Sequence, residues 1–486
     1  MGNRVRFPFW PQPLEWGMPP PPKRKSRGNR AAAPTAAHDP VRLAVARAYL
    51  QFEAGGGFRE RPPARLSDVV QRRFYTQLLY AMVRHRRLLE AELSRLSTRP
   101  LERIEPELRT LALLGLAQLR ILSGVPPHAA VNETVALAVP LGRARGTGWV
   151  NGVLRNAQRQ PLDADTLPLA VRTSHPDWMV ARWQSRYGEA ATAALCAANN
   201  HHGGVTLRVA QQRISPAALA ERLAAEDIAA TPHPLWPAAL EVARAGGVLA
   251  SSAFAEGLCY IQDVSSQLLL AWVAPRLTGP LLDACAAPGG KLTHLLGLAE
   301  ALPPVVAVDN QWAGLGRVRE NCTRLGCQPV GLVQADGARL PLGDACMQSI
   351  LLDVPCSSTG TIRKYPELKW RKHANDLPRY AARQRGLLDD AARVLRTGGH
   401  VLYATCSLEP EENEQQVEAF LARQPAFRRV PLGSLPAPQG LTAAPETLLN
   451  AEGDLLLLPT EHQMGLYGAL LVKTASRETV LHQADA

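Results

Sequence analysis

Between His38 and about Arg159, apolar positions recur every three or four residues, the spacing of one buried helix face. Val41, Ala44, Val45 and Ala48 form a first stripe, which Gly55-Gly-Gly57 ends. Phe74, Leu78, Leu79, Met82 and Val83 form a second; Leu108, Leu111, Leu114 and Leu122 belong to a third. Val125-Pro-Pro-His-Ala-Ala-Val-Asn-Glu-Thr134 reads as a break and a new helix start, and Trp149-Val-Asn-Gly-Val-Leu-Arg155 as further helix. The periodicity predicts an all-α bundle and says nothing about its purpose.

From 170 to 250 the pattern is less regular. Ser174-His-Pro-Asp-Trp178 predicts a helix cap, with Trp183 and Tyr187 on the helix it opens. Val205-Thr-Leu-Arg-Val209 predicts a strand, and Ser215-Pro-Ala-Ala-Leu-Ala-Glu-Arg-Leu223 a helix with proline in its first turn. These pieces make a small α+β subdomain. Its adjacent His201 and His202 have no acidic neighbour in the sequence and read as exposed polar residues, not metal ligands.

Beyond residue 280 the apolar residues gather into short runs near 281–284, 305–309, 330–334, 348–353 and 399–405, with helical stretches between them. That alternation predicts an α/β domain with a parallel sheet covered by helices on both faces. In such a sheet a ligand binds beyond the carboxyl ends of the strands.

The first of these ends is distinctive. Leu281-Leu-Asp-Ala-Cys-Ala-Ala-Pro-Gly-Gly-Lys291 starts as a strand, breaks at Pro288-Gly289-Gly290 and continues as an apolar helix through Leu292, Leu295, Leu296 and Leu298. Such a turn aims unpaired backbone N–H groups at a ligand, although a plain strand-to-helix bend has a similar pattern. A P-loop is excluded, because Cys285 and Leu292 stand where its glycine and its Ser or Thr belong. The dinucleotide pattern G-x-G-x-x-G is absent too. The turn suits a ligand that needs close backbone approach and has no pyrophosphate, such as S-adenosylmethionine (SAM).

Acids mark the next strand ends. Asp309 closes Val305-Val-Ala-Val308 at the spacing of a ribose-binding acid, Asp336 follows Val330-Gly-Leu-Val333 where an adenine amino group would need an acceptor, and Asp353 closes Ser349-Ile-Leu-Leu352. Each alone could be a helix cap; three in series after a glycine turn point to a nucleoside. Two cysteines then fall just past strand ends, Cys356 in Asp353-Val-Pro-Cys-Ser357 and Cys406 in Tyr403-Ala-Thr-Cys-Ser407. A thiol on the ligand face is a candidate nucleophile. Cys196, Cys259, Cys322, Cys327 and Cys346 read as small core residues.

Composition narrows the setting. A chain of 486 residues needs two or three domains. No apolar run approaches the roughly 20 residues of a membrane span, and no signal-peptide core forms, so the expected compartment is the cytoplasm with no membrane partner. The eight cysteines lack CxxC pairs and histidine partners, which argues against zinc and against a disulfide frame. The net charge of +11 favours a polyanionic partner, with steeply salt-dependent binding. Residues 1–37 hold seven Lys/Arg and one Glu, with Pro19-Pro-Pro-Pro22 beside Lys23-Arg24-Lys25. They read as a disordered basic, proline-rich tail that either touches RNA or is merely solvated. Residues 476–486 read as a C-terminal tail, and nothing marks an oligomer interface, so a monomer is expected.

Two motif sets resemble known families. Pro126-Pro-His-Ala-Ala-Val-Asn-Glu133 followed by Trp149-Val-Asn-Gly-Val-Leu-Arg155 resembles the RNA-binding antitermination factor NusB and its relatives over roughly 38–165. Cys285-Ala-Ala-Pro-Gly-Gly-Lys291, Asp353-Val-Pro-Cys-Ser357, Arg363-Lys-Tyr-Pro-Glu-Leu-Lys-Trp370, Thr405-Cys-Ser407 and Glu411-Glu-Asn-Glu414 resemble the RNA cytosine-5 methyltransferases of the NOL/NOP/Sun class. With the NusB-like part in front, the chain is similar to the bacterial small-subunit rRNA members of that class, from about 38 to Lys473. Ser358 and Glu367 depart from it, standing where relatives often have Gly and Asp, and Ala210 stands where Asn is common.

The resemblance implies a NusB-like RNA-binding domain (38–165), a small α+β subdomain (170–250) and a Rossmann-like SAM-dependent methyltransferase domain (251–475). It implies methylation of cytosine carbon 5 in unfolded or free 16S rRNA. Cys406 would be the nucleophile, Cys356 would aid product release, and Asp353 would position the base. SAM would lie against Cys285, Ala286, Ala287, Pro288, Gly289, Gly290, Lys291, Asp309, Asp336 and Asp353, and no metal is expected. Three alternatives stay open: the same chemistry on tRNA or 23S rRNA, a non-catalytic RNA-binding or antitermination factor, and a nucleophile at Cys356, as in the Pro-Cys of DNA cytosine methyltransferases.

Overall fold

The computed structural model describes residues 38–58, 61–298, 304–327 and 331–475, so both expected tails lie outside the described residues. The chain divides after Asn200 into two compact units.

In the first unit the apolar stripes become buried faces of helices Pro40–Glu53, Val69–Arg84, Arg86–Leu96, Pro106–Arg120, Pro127–Ala136 and Thr147–Arg159. Val41, Ala44, Val45, Ala48, Leu78, Leu79, Met82, Val83, Leu108, Leu111 and Leu114 are all buried. Phe74 is half-buried, with the Arg42 guanidinium 4.9 Å from its ring centre. Leu122 falls past the end of helix Pro106–Arg120 and is only half-buried. Local chemistry starts the helices: the Asp39 side chain accepts from the N–H groups of Val41 and Arg42, and prolines occupy the first position at Pro40, Pro106 and Pro127. Helix Asp177–Asn200 completes the unit, burying Trp183 and bending at Gly188. The division after Asn200 falls inside the 170–250 segment, leaving this helix with the first unit.

The second unit opens with an antiparallel sheet of β1 (Val205–Val209), β2 (Ala230–Pro232), β3 (Ala239–Val242) and β4 (Cys259–Ile261), in the order β2-β3-β1-β4. Helix Pro216–Ala224 packs Leu219 and Leu223 with Leu207, Leu240 and Val242, and the Ser215 hydroxyl caps it by accepting from Ala218 N.

The main sheet contains β5 (Leu281–Asp283), β6 (Val305–Asp309), β7 (Gly331–Gln334), β8 (Met347–Asp353), β9 (Leu395–Thr405), β10 (Phe427–Val430), β11 (Leu455–Leu457) and β12 (Leu466–Lys473). Its order is β10-β12-β9-β8-β5-β6-β7, with β11 also on β12. The five expected strands are present and mutually parallel, with Val330 outside the described residues. The sheet as a whole is mixed, because β12 runs antiparallel to β9, β10 and β11. An antiparallel neighbour needs no crossover helix, so helix Glu414–Arg423 after β9 does not reveal that β12 lies beside it.

Alternate residues bury opposite ways. Leu281, Leu351, Leu402 and Leu470 enter one apolar layer, and Leu282, Ile350, Leu352, Val401 and Tyr403 the other. Since β5 to β9 are parallel, their carboxyl ends share one edge, and all the candidate residues of this domain lie along it.

Candidate active site

The loop after β5 is held from two sides. Asp309 at the end of β6 accepts from Ala287 N through Oδ2 (3.1 Å) and from Gln311 N through Oδ1 (2.9 Å). Gly289 has φ +98°, and a Cβ there would stand 3.3 Å from the Val318 backbone. That conformation and that contact both favour glycine. Asp336 is exposed after β7, its Oδ1 accepting from Ala338 N at 3.1 Å. The Ala335 N–H donates to Asp309 O at 3.2 Å, which links the ends of β6 and β7. Cys285 is half-buried, and burial pushes its thiol well above the usual range, a poor setting for a nucleophile.

From the far side of this loop Lys291 reaches the end of β8, where Nζ donates to Asp353 Oδ2 at 2.6 Å. Burial opposes the ammonium charge, yet the Asp353 carboxylate holds Lys291 above its ordinary value. Asp283, at the end of β5, is fully buried; burial first, and the Asp353 charge second, push its carboxyl up to about 8. Pattern reading gave Asp283 no special place, because an Asp closing an apolar run resembles an ordinary cap.

Neighbouring strands β8 and β9 then present the two cysteines. Cys356 Sγ lies 3.3 Å from Cys406 Sγ, and Ser358 Oγ lies 3.4 Å from Cys406 Sγ and 3.8 Å from Cys356 Sγ. A hydrogen bond from the Cys356 thiol holds Cys406 below the usual thiol range; the Ser358 hydroxyl and the Lys291 ammonium add to this, against burial and the Asp353 charge. The same thiol–thiol bond, with burial, pushes Cys356 well up. Within the pair the anion is therefore favoured on Cys406 and the proton on Cys356. Ser358 adopts φ +63°, a left-handed conformation that suits glycine best; here its side chain brings a hydroxyl near both sulfurs.

The two loops are stitched together. Gly360 N donates to Cys406 O (2.9 Å), Leu408 N donates to Thr359 Oγ1 (2.9 Å), and the hydroxyls of Ser357 and Ser407 meet at 2.9 Å. A Cβ on Gly360 would stand 2.8 Å from Cys406 O, so only glycine allows this approach. Behind them Glu412, fully buried, bonds to both loops; it lies within Glu411-Glu-Asn-Glu414, a motif whose role its composition does not reveal.

The geometry thus gathers Cys285–Lys291, Asp309, Asp353, Cys356 and Cys406 on one edge. Among the other cysteines read as core residues, Cys196, Cys259 and Cys322 are buried, while Cys327 and Cys346 are half-buried and pack against the two apolar layers. His201 is not without an acid: Glu461, 260 positions away in sequence, places Oε2 3.8 Å from its Nε2. No group of three or more His, Cys, Asp or Glu side chains suited to a metal occurs among the described residues.

Comparison with known proteins decides the family. Residues 270–472 match the family model described as 16S rRNA methyltransferase RsmB/F. Residues 42–159 match the NusB family, and residues 175–249 a ferredoxin-like domain of RsmF/B-like methyltransferases. The ribosomal RNA small subunit methyltransferase B of Sodalis glossinidius is 38% identical over 411 residues, covering 83% of this chain and 92% of that protein. The chain belongs to this family. The probable ribosomal RNA small subunit methyltransferase B of Synechocystis is 34% identical over 414 residues, 83% of this chain and 91% of that one. A solved methyltransferase homologue from Pyrococcus horikoshii is 26% identical with a TM-score of 0.52, covering 64% of this chain and all of that one.

The chain is therefore a SAM-dependent methyltransferase of the small-subunit rRNA class, with a NusB domain, a ferredoxin-like domain and a Rossmann-like catalytic domain. No helix among the described residues is long and apolar enough to cross a membrane.

Proposed function

We propose that this methyltransferase modifies carbon 5 of a cytosine in 16S rRNA through a covalent bond between Cys406 and carbon 6. The observation that carries this reading is the thiol pair: two sulfurs 3.3 Å apart, with the anion favoured on Cys406 and the proton on Cys356. Carbon 5 is a poor nucleophile, and addition of a thiolate at carbon 6 is what gives it electron density.

The residues present suit SAM. A tight glycine turn offers close backbone approach, Asp309 and Asp336 stand at successive strand ends for hydroxyl and amino groups, and Asp353 is next in line for the methionine end. Bound there, SAM supplies an electrophilic methyl group. The Cys406 thiolate would add to carbon 6, and the electron pair of the 5,6 double bond would move to carbon 5, which would take the methyl as the methyl–sulfur bond breaks and its electron pair stays on the donor's sulfur, leaving a neutral thioether. Asp353, held by Lys291, supports the base at its ring nitrogen. The carbon-5 proton would then pass to water, its bonding pair would restore the double bond, and the carbon 6–sulfur bond would break to release the Cys406 thiolate. Cys356, the neighbouring acid–base group, assists that release.

A cytosine inside a stack cannot reach such a site, so unfolded or free small-subunit rRNA is the proposed substrate. Residues 38–165 would bind RNA and residues 251–475 carry the reaction, the chain acting as a cytoplasmic monomer. Calorimetry with SAM, combined with methyl transfer to undermethylated 16S rRNA and bisulfite mapping of the product, tests the reading. One 5-methylcytosine gained in 16S rRNA supports it; methylation confined to tRNA or 23S rRNA, or none despite SAM binding, overturns it.

A further inference from the structure

Behind the two thiols sits a buried carboxylate for which the proposed chemistry has no step. Glu412 is fully buried in the short turn Pro410–Glu412. Its Oε2 accepts from Ser357 N at 2.8 Å and from Gln384 Nε2 at 3.0 Å, and its Oε1 accepts from Ser407 Oγ at 2.7 Å. Ser357 directly follows Cys356 and Ser407 directly follows Cys406, so one carboxylate grips the neighbour of each cysteine. Gln384 strengthens the grip by donating also to Pro355 O, on the other side of Cys356, at 3.1 Å.

Glu412 is itself held in place. The Tyr403 hydroxyl donates to its carbonyl oxygen at 2.7 Å, and the adjacent Asn413 donates to Ser407 O at 2.9 Å. Every donor to the Glu412 carboxylate named here is neutral. Burying a carboxylate on neutral donors alone is costly, and an apolar side chain would fill the same space without that cost. What the carboxylate adds is two oxygens on one rigid plane, accepting from both cysteine loops at once.

We propose that Glu412 is a positioning residue that fixes the distance and orientation between Cys356 and Cys406. The inference rests on the reading that these two thiols carry the reaction. Its charge works the same way, since a carboxylate near Cys356 further disfavours a thiolate there and leaves the anion to Cys406.

The test compares Glu412→Ala, Glu412→Gln and Ser407→Ala in the full-length protein. It measures single-turnover methyl transfer to undermethylated 16S rRNA and, separately, SAM affinity by calorimetry. Loss of about 1 Å of alignment costs on the order of 100-fold in rate, so Glu412→Ala is expected to slow transfer by roughly that factor while SAM affinity stays within about twofold. Glu412→Gln keeps an oxygen for Ser357 N and an amide toward Ser407 Oγ, so it is expected to recover most of the rate. Ser407→Ala should lie between them.

Wild-type rates in Glu412→Ala, a glutamine variant as slow as the alanine variant, or rate and SAM affinity falling together would each overturn the inference. If Glu412→Ala does not fold, the other two decide: Ser407→Ala slower than Glu412→Gln with SAM affinity intact supports the role, and equal rates overturn it. A wild-type protein that methylates no cytosine overturns both this inference and the proposed function. An active wild type indifferent to Glu412 overturns this inference alone.

Discussion

Lys291 Nζ lies 2.6 Å from Asp353 Oδ2, joining the glycine-turn helix to the end of β8 beside Cys406. This pair links the proposed donor side of the site to the proposed reaction side. A charge-assisted bond of this kind contributes about 1.5–3 kcal/mol. Lys291→Met is expected to lower the melting temperature by several degrees and to weaken methyl transfer. In a thermal double-mutant cycle with Asp353→Asn, the two losses should not add. Additive losses would show that the pair is incidental.

Asp283 makes stability depend on pH in an unusual direction. Its carboxyl sits at about 8 in the folded protein, against about 3.9 in an unfolded chain. A raised value means that the contribution is greatest below the unfolded value and is lost as pH rises toward the folded one. From this group, wild-type stability should decline between about pH 4 and pH 8 and then level off. Asp283→Asn keeps an oxygen for Cys285 N and has no proton to lose. It should flatten that decline and melt higher than wild type at pH 8 to 9, as measured by calorimetry across pH.

Ser358 offers a direct handle on the nucleophile. Its hydroxyl, 3.4 Å from Cys406 Sγ, helps hold that thiol below the usual range. Ser358→Gly removes the hydroxyl and relaxes the left-handed backbone, so a rise in the Cys406 value has no folding penalty to confuse it. The loss of one hydrogen bond to an anion corresponds to roughly one pH unit. Alkylation of Cys406 by iodoacetamide, followed by mass spectrometry, should therefore shift to higher pH by about that amount. An unmoved profile would remove Ser358 from the thiolate's support.

These residues differ in how far the sequence reveals them. Asp309, Asp353, Cys356 and Cys406 were legible because parallel strands carry their ends to one edge, so a residue just past an apolar run is already placed. The bundle was legible for a similar reason, since helix periodicity names its own buried face. What escaped is what depends on contacts between distant segments. Strand β12 pairs antiparallel with β9 after helix Glu414–Arg423, β10 and β11 have intervened, and no local pattern announces that partner. Glu461 meets His201 from 260 positions away. Glu412 reads as one acid among three in Glu411-Glu-Asn-Glu414, and only folding shows it buried against Ser357 and Ser407. Asp283 was hidden differently, because its raised value comes from burial and from Asp353, neither of which has a local signal.

The division of labour between the two cysteines is best tested by trapping. Cys356→Ser and Cys406→Ser proteins are incubated with SAM and undermethylated 16S rRNA and then separated under denaturing conditions. With Cys406 as nucleophile and Cys356 aiding release, Cys356→Ser should accumulate a covalent RNA–protein adduct and Cys406→Ser should form none. Adducts that persist in Cys406→Ser and vanish in Cys356→Ser would contradict the assignment and make Cys356 the nucleophile.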